Sequence, residues 1–218
     1  MQLILRYARC FERLAQTGHY RRVVEIGPGS SSAIIIALKA VRPANAYHYN
    51  GIEASAQMAS PLKQYLDLFQ VKGSVITGDF FDQLVYIRDG SILCFEHSLE
   101  DLYFHYVRKA LNVDELPSMD WIEKLSRESA NFHDPLLYNF LLDFFAHVND
   151  LLSRKYVSVI LRHYCWPERS YSPLYGMIDW LIIQIVPRLI KNFNLPVMPE
   201  FGHTSLDREF FFVLGVRE

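Results

Sequence analysis

Short apolar runs alternate with longer amphipathic segments along the first hundred residues of the chain. The runs at residues 22–26, 47–53, 74–77 and 91–95 have the length of strands, and the segments between them carry apolar residues at helical spacing. A helix is predicted over residues 3–15, ahead of the first strand. Strands that alternate with helices in this way indicate βαβ units, which form a parallel sheet covered on both faces.

The regular alternation of predicted strands and helices stops after the fourth predicted strand. Residues 99–155 carry helical patterns before the next strand candidate at residues 156–162, whereas a crossover needs only about a dozen residues or somewhat more. We therefore interpret residues 99–155 as a helical insertion and expect it to form a lid over a ligand-binding site. The alternative is that its helices extend the core or form a dimer contact. A helix over residues 174–191 and a final strand over residues 209–216 follow, and that strand is a candidate to pair antiparallel with residues 195–198.

A single domain accounts for residues 1–218. The sequence holds no internal repeat, no low-complexity tract and no Gly/Ser-rich linker, and 218 residues suffice for one sizeable core. The expected fold class is α/β, with a Rossmann-like, mostly parallel sheet, helices on both faces and a helical insertion after the fourth strand.

Composition narrows the classes of partner. Half of the residues are hydrophobic and the formal net charge is −2, so no strong positive field favours nucleic acid or an anionic membrane. The most apolar stretch, residues 177–190, contains Asp179 and Arg188, which predicts a buried helix rather than a membrane span. Arg6 interrupts the N-terminus too early for a signal peptide. Three widely spaced cysteines are typical of a reduced, cytoplasmic protein: Cys10, Cys94 and Cys165.

Glycines and acidic residues follow the predicted strands at the points where the strands end. In an open α/β sheet, a ligand binds beyond the carboxyl ends of the strands. Two glycines after the first strand permit a tight turn and bring a ligand close to bare backbone, and the N-terminus of the next helix offers N–H groups. The residues in these positions are Glu25, Gly27, Gly29, Glu53, Asp79, Glu96 and His97.

Residues 23–31, with the sequence VVEIGPGSS, resemble the first motif of class I S-adenosylmethionine (SAM)-dependent methyltransferases, an acidic residue followed by Gly-x-Gly-x-Gly. Ser31 stands at the third glycine position, a departure that makes the motif less specific. The resemblance implies that Glu53 binds the ribose and that Asp79, in a Gly-Asp-Phe sequence, faces the adenine amino group. The cofactor-binding residues it implies are Glu25, Gly27, Pro28, Gly29, Ser31, Glu53, Ala54, Gly78, Asp79, Phe80 and Glu96.

The chemistry of the acidic residues agrees with a sulfonium nucleoside. A carboxylate at Glu53 can accept hydrogen bonds from both ribose hydroxyls, whereas a phosphate would be repelled by three nearby acids. Glu25 has two candidate roles, holding the turn or meeting the amino group of the methionine moiety. A nicotinamide dinucleotide site would require glycine where Ser32 stands and a second nucleotide-binding half, which the sequence does not show.

Methyl transfer requires alignment of the acceptor and, for some acceptors, removal of a proton. His97 is a candidate general base at the end of the fourth strand, and the alternative is a structural, hydrogen-bonded histidine. His163 and Tyr164 form a second catalytic candidate cluster. Glu96, His97, Glu100 and Asp101 are conceivable metal ligands, but no spacing dictates a metal site and none is predicted. The aromatic residues that follow either stack on a flat substrate or belong to the core: Trp166, Tyr171 and Tyr175.

The sequence therefore predicts a SAM-dependent methyltransferase that acts on a small-molecule acceptor. The expected cofactor is SAM, the expected location is the cytoplasm, and neither nucleic acid nor membrane is indicated as a partner. A homo-oligomer is compatible with the sequence, which does not identify the acceptor atom. Two alternatives remain open at this stage: a nicotinamide-dependent oxidoreductase and a SAM-binding subunit without catalytic activity.

Overall fold

The computed structural model describes residues 2–30, 32–41, 46–83, 87–112, 135–153, 156–165, 173–205 and 208–215. The helices in these ranges are α1 (Gln2–Gln16), α2 (Ala33–Ala40), α3 (Ala56–Phe69), α4 (Phe80–Gln83), α5 (Leu99–Leu111), α6 (Pro135–Ser153) and α7 (Pro173–Asn192). The strands are β1 (Arg22–Ile26), β2 (His48–Glu53), β3 (Gly73–Thr77), β4 (Ser91–Glu96), β5 (Ser158–Tyr164), β6 (His203–Ser205) and β7 (Glu209–Leu214).

The seven strands form one sheet in the order β3-β2-β1-β4-β5-β7-β6. Strands β1 to β5 are parallel, and β7 lies antiparallel between β5 and β6. Ile26 pairs with Ile52 on one side and Phe95 on the other, so the carboxyl ends of β1, β2 and β4 meet at one edge. The α/β fold class and the parallel sheet predicted from the sequence are confirmed.

Helices cover both faces of the sheet, as the sequence predicts. Consecutive strand residues point to opposite faces: Val23 packs with α1, α2 and α3, whereas Val24 packs with α5, α6 and α7. In β7, Phe210 and Phe212 join the α5–α7 side and Phe211 joins the α1–α3 side. Burying a side chain of this size contributes about 1.5–3 kcal/mol, so β7 stabilises both layers at once.

The three cysteines are buried and unpaired. Cys10 and Cys94 lie in the layer formed by α1, α2 and α3, whereas Cys165 lies in the layer formed by α5, α6 and α7. The Cys165 thiol donates to the carbonyl oxygen of Gly176 in α7 at 3.3 Å. Each helical layer therefore contains at least one thiol that water does not reach.

The C-terminal strands differ from the sequence prediction. β7 pairs with β6, and Val197 contributes only an isolated antiparallel bridge to Leu214. Pro196 and Pro199 flank Val197 and lack the N–H donors that would extend a ladder there. The fifth strand is also displaced, since it spans Ser158–Tyr164, and this places His163 and Tyr164 inside the strand.

Helices α5 and α6 account for the described part of the predicted insertion. Helix α6 buries Phe140, Phe144 and Phe145 in the core and packs against α7 and β5, so it is a layer of the fold. Residues 113–134 lie outside the described residues, and the lid stays a prediction. Helix α7 buries Ile178 and Ile182, as predicted for that apolar stretch. In the part of the chain that the structure describes, no helix combines the length and apolar character needed to cross a bilayer.

Candidate cofactor and acceptor site

A cavity of about 400 Å³ opens at the carboxyl edge of the sheet, beyond β1, β2 and β3. Helix α5 forms the other wall of the cavity. The volume of the cavity lies in the range of small-molecule sites. Seven of the predicted cofactor-binding residues line it: Gly27, Gly29, Glu53, Ala54, Gly78, Asp79 and Phe80.

The turn after β1 requires glycine at two positions. Gly27 and Gly29 have φ of +63° and +65°, in the left-handed region that side chains disfavour. The Gly27 N–H donates to the carbonyl oxygen of Ile52 at 2.9 Å, and a Cβ on Gly27 would lie 3.1 Å from that of Ser98. A Cβ on Gly29 would meet no atom within 4 Å, so Gly29 faces the open space of the cavity.

Glu53 ties this turn to the end of β2. Its Oε2 accepts from the Gly29 N–H at 2.9 Å, and its Oε1 accepts from the Ser55 N–H at 2.9 Å. Each carboxylate oxygen can accept a further hydrogen bond. Glu53 is therefore held at the cavity wall by the backbone and keeps acceptor capacity for a ligand.

Glu25 points into the core and does not line the cavity. Its Oε2 accepts from the Ser32 hydroxyl at 2.5 Å and from the Tyr49 hydroxyl at 2.7 Å. Burial raises the pKa of Glu25 to about 8, although these two hydrogen bonds lower it in part. Ser32 in turn caps α2 by accepting from the N–H groups of Ile34 and Ile35. Those two N–H groups at the helix N-terminus are thus already hydrogen-bonded within the protein. Of the two candidate roles of Glu25, its position agrees with holding the turn.

Helix α5 brings a histidine and an arginine to the far side of the cavity. His105 Nε2 lies 2.5 Å from Asp79 Oδ2, and Arg108 lines the same wall. Ser98 and Asp101 line the cavity nearer the end of β4. Phe80 is buried against Phe95, with the ring centroids 5.4 Å apart. The pairing with His105 fixes Asp79 where the third parallel strand ends.

Glu96 belongs to a buried ion network beside the cavity. Both of its oxygens are occupied, one accepting from the Tyr7 hydroxyl and the other from the Arg162 guanidinium. Arg162 also donates to Glu209. Burial raises the pKa of Glu96, and Arg162 and Tyr7 offset part of that effect. The structure does not bring Glu96 to the cavity wall.

The three predicted catalytic residues lie together beyond β4 and β5. The rings of His97 and Tyr164 stack with centroids 3.9 Å apart, and those of His97 and His163 are 4.6 Å apart. His97 has a φ of +55°, and its N–H donates to the carbonyl oxygen of Arg162 at 2.9 Å. This left-handed conformation is uncommon for residues other than glycine. Burial lowers the pKa of His97 to about 4, and it also lowers that of His163, so both imidazoles are neutral at pH 7.

Two carboxyl groups complete this cluster. His163 Nε2 lies 2.9 Å from Asp179 Oδ1, and His97 Nε2 lies 3.4 Å from Glu100 Oε1. Burial and the neighbouring Asp179 raise the pKa of Glu100 well above its usual range. Sequence reasoning did not join Asp179 to the histidines, although a lone acid in the apolar stretch of α7 was the available signal.

The structure thus brings most predicted residues into two adjacent groups. Pro28, Glu25 and Glu96 do not line the cavity, and Ser31, Trp166 and Tyr171 lie outside the described residues. Sequence analysis missed the cavity wall provided by α5. The signal was the polar residues of that helix, which recur at helical spacing among apolar ones: Asp101, His105 and Arg108.

Comparison with solved structures relates the whole chain to methyltransferases. Cofactor-bound Rv0187 from MTB shares 12% identity, with coverage of 100% of this chain and 81% of that chain and a TM-score of 0.52. The delta-N METTL16 methyltransferase domain shares 14%, with coverages of 100% and 84% and a TM-score of 0.51. The CurJ carbon methyltransferase shares 12%, with coverages of 89% and 48% and a TM-score of 0.50.

No protein-family model matches the chain, and no curated protein matches it significantly. Identities this low describe the fold and not the activity. The similarity in fold is in keeping with the mostly parallel, seven-stranded sheet described above. The chain has the fold of class I SAM-dependent methyltransferases.

Proposed function

We propose that the chain is a SAM-dependent methyltransferase and that its cofactor occupies the 400 Å³ cavity. One observation carries the proposal: the glycine turn, Glu53 and Asp79 end three consecutive strands and line that one cavity. In this arrangement Glu53 accepts from the ribose hydroxyls and Asp79 accepts from the adenine amino group. Gly29 leaves room for the ligand against the backbone.

The charges of the cavity favour a sulfonium nucleoside over a dinucleotide. Three acids line it against one arginine, Arg108 of α5, and a pyrophosphate would be placed beside Glu53. The sheet also departs from a dinucleotide-binding arrangement, because β7 is antiparallel where a second nucleotide-binding half would continue in parallel. The nicotinamide alternative therefore finds no support in the topology.

The acceptor is proposed to lie between the cavity and His97. Asp101 lines the cavity; burial raises its pKa, and both Glu53 and Asp179 are close enough for their charges to raise it further, so the histidine cluster lies near this end of the cavity. His97, whose pKa burial lowers to about 4, is the proposed base for the acceptor's proton, and the rings of His163 and Tyr164 pack against it. The overall charge of −2 does not favour a nucleic acid, so a small molecule is the proposed acceptor.

Calorimetry with S-adenosylhomocysteine (SAH), SAM and NAD⁺ tests this proposal. We expect stoichiometric binding of SAH and SAM and no binding of NAD⁺. Methyl transfer from labelled SAM to a panel of hydroxylated and amino acceptors then separates an enzyme from a SAM-binding subunit. Binding of NAD⁺ without SAH would overturn the proposal.

A further inference from the structure

Four side chains that can ligate a metal converge beyond the carboxyl ends of β4 and β5. They come from four different elements of the fold: His97 follows β4, Glu100 lies in α5, His163 in β5 and Asp179 in α7. One nitrogen or oxygen atom from each lies within 4.8 Å of the others. We call this group the four-residue cluster.

The distances within the four-residue cluster are close to those of a coordination sphere. A tetrahedral site with bonds of about 2.1 Å places its ligand atoms about 3.4 Å apart. His163 Nε2 and Asp179 Oδ1 are 2.9 Å apart, and His97 Nε2 and Glu100 Oε1 are 3.4 Å apart. The four atoms lie within 4.8 Å of one another, so the widest separation exceeds that of a closed tetrahedral site by about 1.4 Å at most.

The protein leaves polar atoms of this cluster unsatisfied. Among the described residues, His97 Nδ1, Glu100 Oε2 and His163 Nδ1 are buried without a hydrogen-bond partner. His163 is fully buried, and a buried polar atom without a partner destabilises the protein. Arg162, the nearby cation, is committed to Glu96 and Glu209. The cluster thus gathers two carboxyl groups and two neutral imidazoles without a cation of its own.

We propose that His97, Glu100, His163 and Asp179 bind one divalent first-row transition-metal ion. Imidazole nitrogen suits zinc, iron, cobalt and nickel, whereas magnesium and calcium favour all-oxygen sites. The four ligands come from separate elements that the core already holds in place, so the site is largely preformed. This departs from the expectation of no metal, because spacing along the sequence does not show that Asp179 and His163 meet.

The metal would change the role of His97 in the proposed function. An ion at this position adjoins the wall formed by Ser98 and Asp101, where an acceptor oxygen can bind to it. Metal binding lowers the pKa of such an oxygen, so His97 serves as a ligand rather than as the base. This consequence rests on the proposed function, whereas the metal site itself does not.

Metal titration of the chelator-stripped protein tests the site directly. We expect one equivalent of Zn²⁺ per chain, weaker binding of Mg²⁺, and visible absorption bands of Co²⁺ typical of four or five ligands. Glu100→Gln and Asp179→Asn, which preserve side-chain size, should each weaken Zn²⁺ binding by about tenfold or more. His147→Gln, on the exposed side of α6, removes a histidine elsewhere and should change nothing.

Thermal melts show whether each variant is folded before the titrations are compared. Less than one equivalent of Zn²⁺ in the wild type, or unchanged affinity in both cluster variants, would overturn the site. SAH calorimetry on the same samples separates the two proposals. Normal SAH binding without metal binding rejects the metal site alone, and metal binding without SAH binding rejects the proposed cofactor alone.

Discussion

The two halves of the carboxyl edge are built by different means. At β1, β2 and β3 the backbone forms the site, and Glu53 and Asp79 are already bonded to the Gly29 N–H and to His105. At β4 and β5 side chains form the site, and several of their polar atoms lack partners. In the first half, the hydrogen bonds within the protein already hold the side chains in place. In the second half, the proposed metal ion would supply the missing partner. We call the first the binding half and the second the reacting half, after the roles proposed for them.

The strongest test of the binding half is Gly29→Val. The side chain would occupy the cavity, so we expect SAH binding to disappear in calorimetry. Gly18→Val is a matched control, because Gly18 also has a positive φ (+75°) with open space around it but does not line the cavity. Both variants should lose similar stability, and only the first should lose SAH. Normal SAH affinity in folded Gly29→Val would place the cofactor elsewhere.

The reacting half is tested by His97→Ala. Turnover should fall by about 10²–10⁴-fold, because the variant loses either a proton acceptor or a ligand of the proposed metal ion, while SAH affinity stays within a factor of about two. His48→Ala, an exposed histidine at the opposite edge of the sheet, is the control. Steady-state rates near the wild-type value would reduce His97 to a structural residue. A parallel loss of SAH binding would mean that the two halves are not separate.

Glu53→Ala should weaken SAH binding by about 1–3 kcal/mol, because hydrogen bonds to a charged carboxylate are lost. Glu53→Gln keeps the size of the side chain and should show a smaller loss. Asp67→Ala removes an exposed acid from α3 and controls for the change in net charge. Calorimetry that finds equal affinity in all four proteins would remove Glu53 from the cofactor site.

Glu25 provides an effect on stability, not on ligand binding, and this effect depends on pH. Its pKa is about 8 in the folded protein against 4.5 for an ordinary glutamate, so the folded state binds more protons between these values. The free energy of unfolding should therefore decrease as pH rises from 5 to 8, at up to about 1.4 kcal/mol per unit.

Glu25→Gln should flatten this slope in denaturant titrations at several pH values. The exposed Glu200→Gln should retain it. If the free energy of unfolding still decreases with pH in Glu25→Gln, titratable groups other than Glu25 cause the decrease. Loss of SAH binding in this variant would show that Glu25 reaches the ligand after all.

The binding half was largely predictable from sequence because its residues follow local rules. A strand followed by Gly27 and Gly29 specifies a turn, and the strand rhythm places Glu53 and Asp79 at the same edge. The reacting half depends on contacts that no spacing shows. His163 meets Asp179 across two elements, and Arg162 neutralises Glu96 from the neighbouring strand. The sequence indicates these buried pairs only by placing a charged residue inside an apolar strand or helix.

The buried thiols give each layer of the fold its own reporter of opening. Cys165 is held against Gly176, so a thiol reagent should reach it when α7 separates from the sheet. Cys10 and Cys94 become reactive when the helices on the opposite face separate. Labelling followed by mass spectrometry would thus record whether the two layers open together or one at a time, in the unmodified protein. The reactivity of these cysteines would therefore report how cooperatively the two helical layers unfold, separately for each face of the sheet.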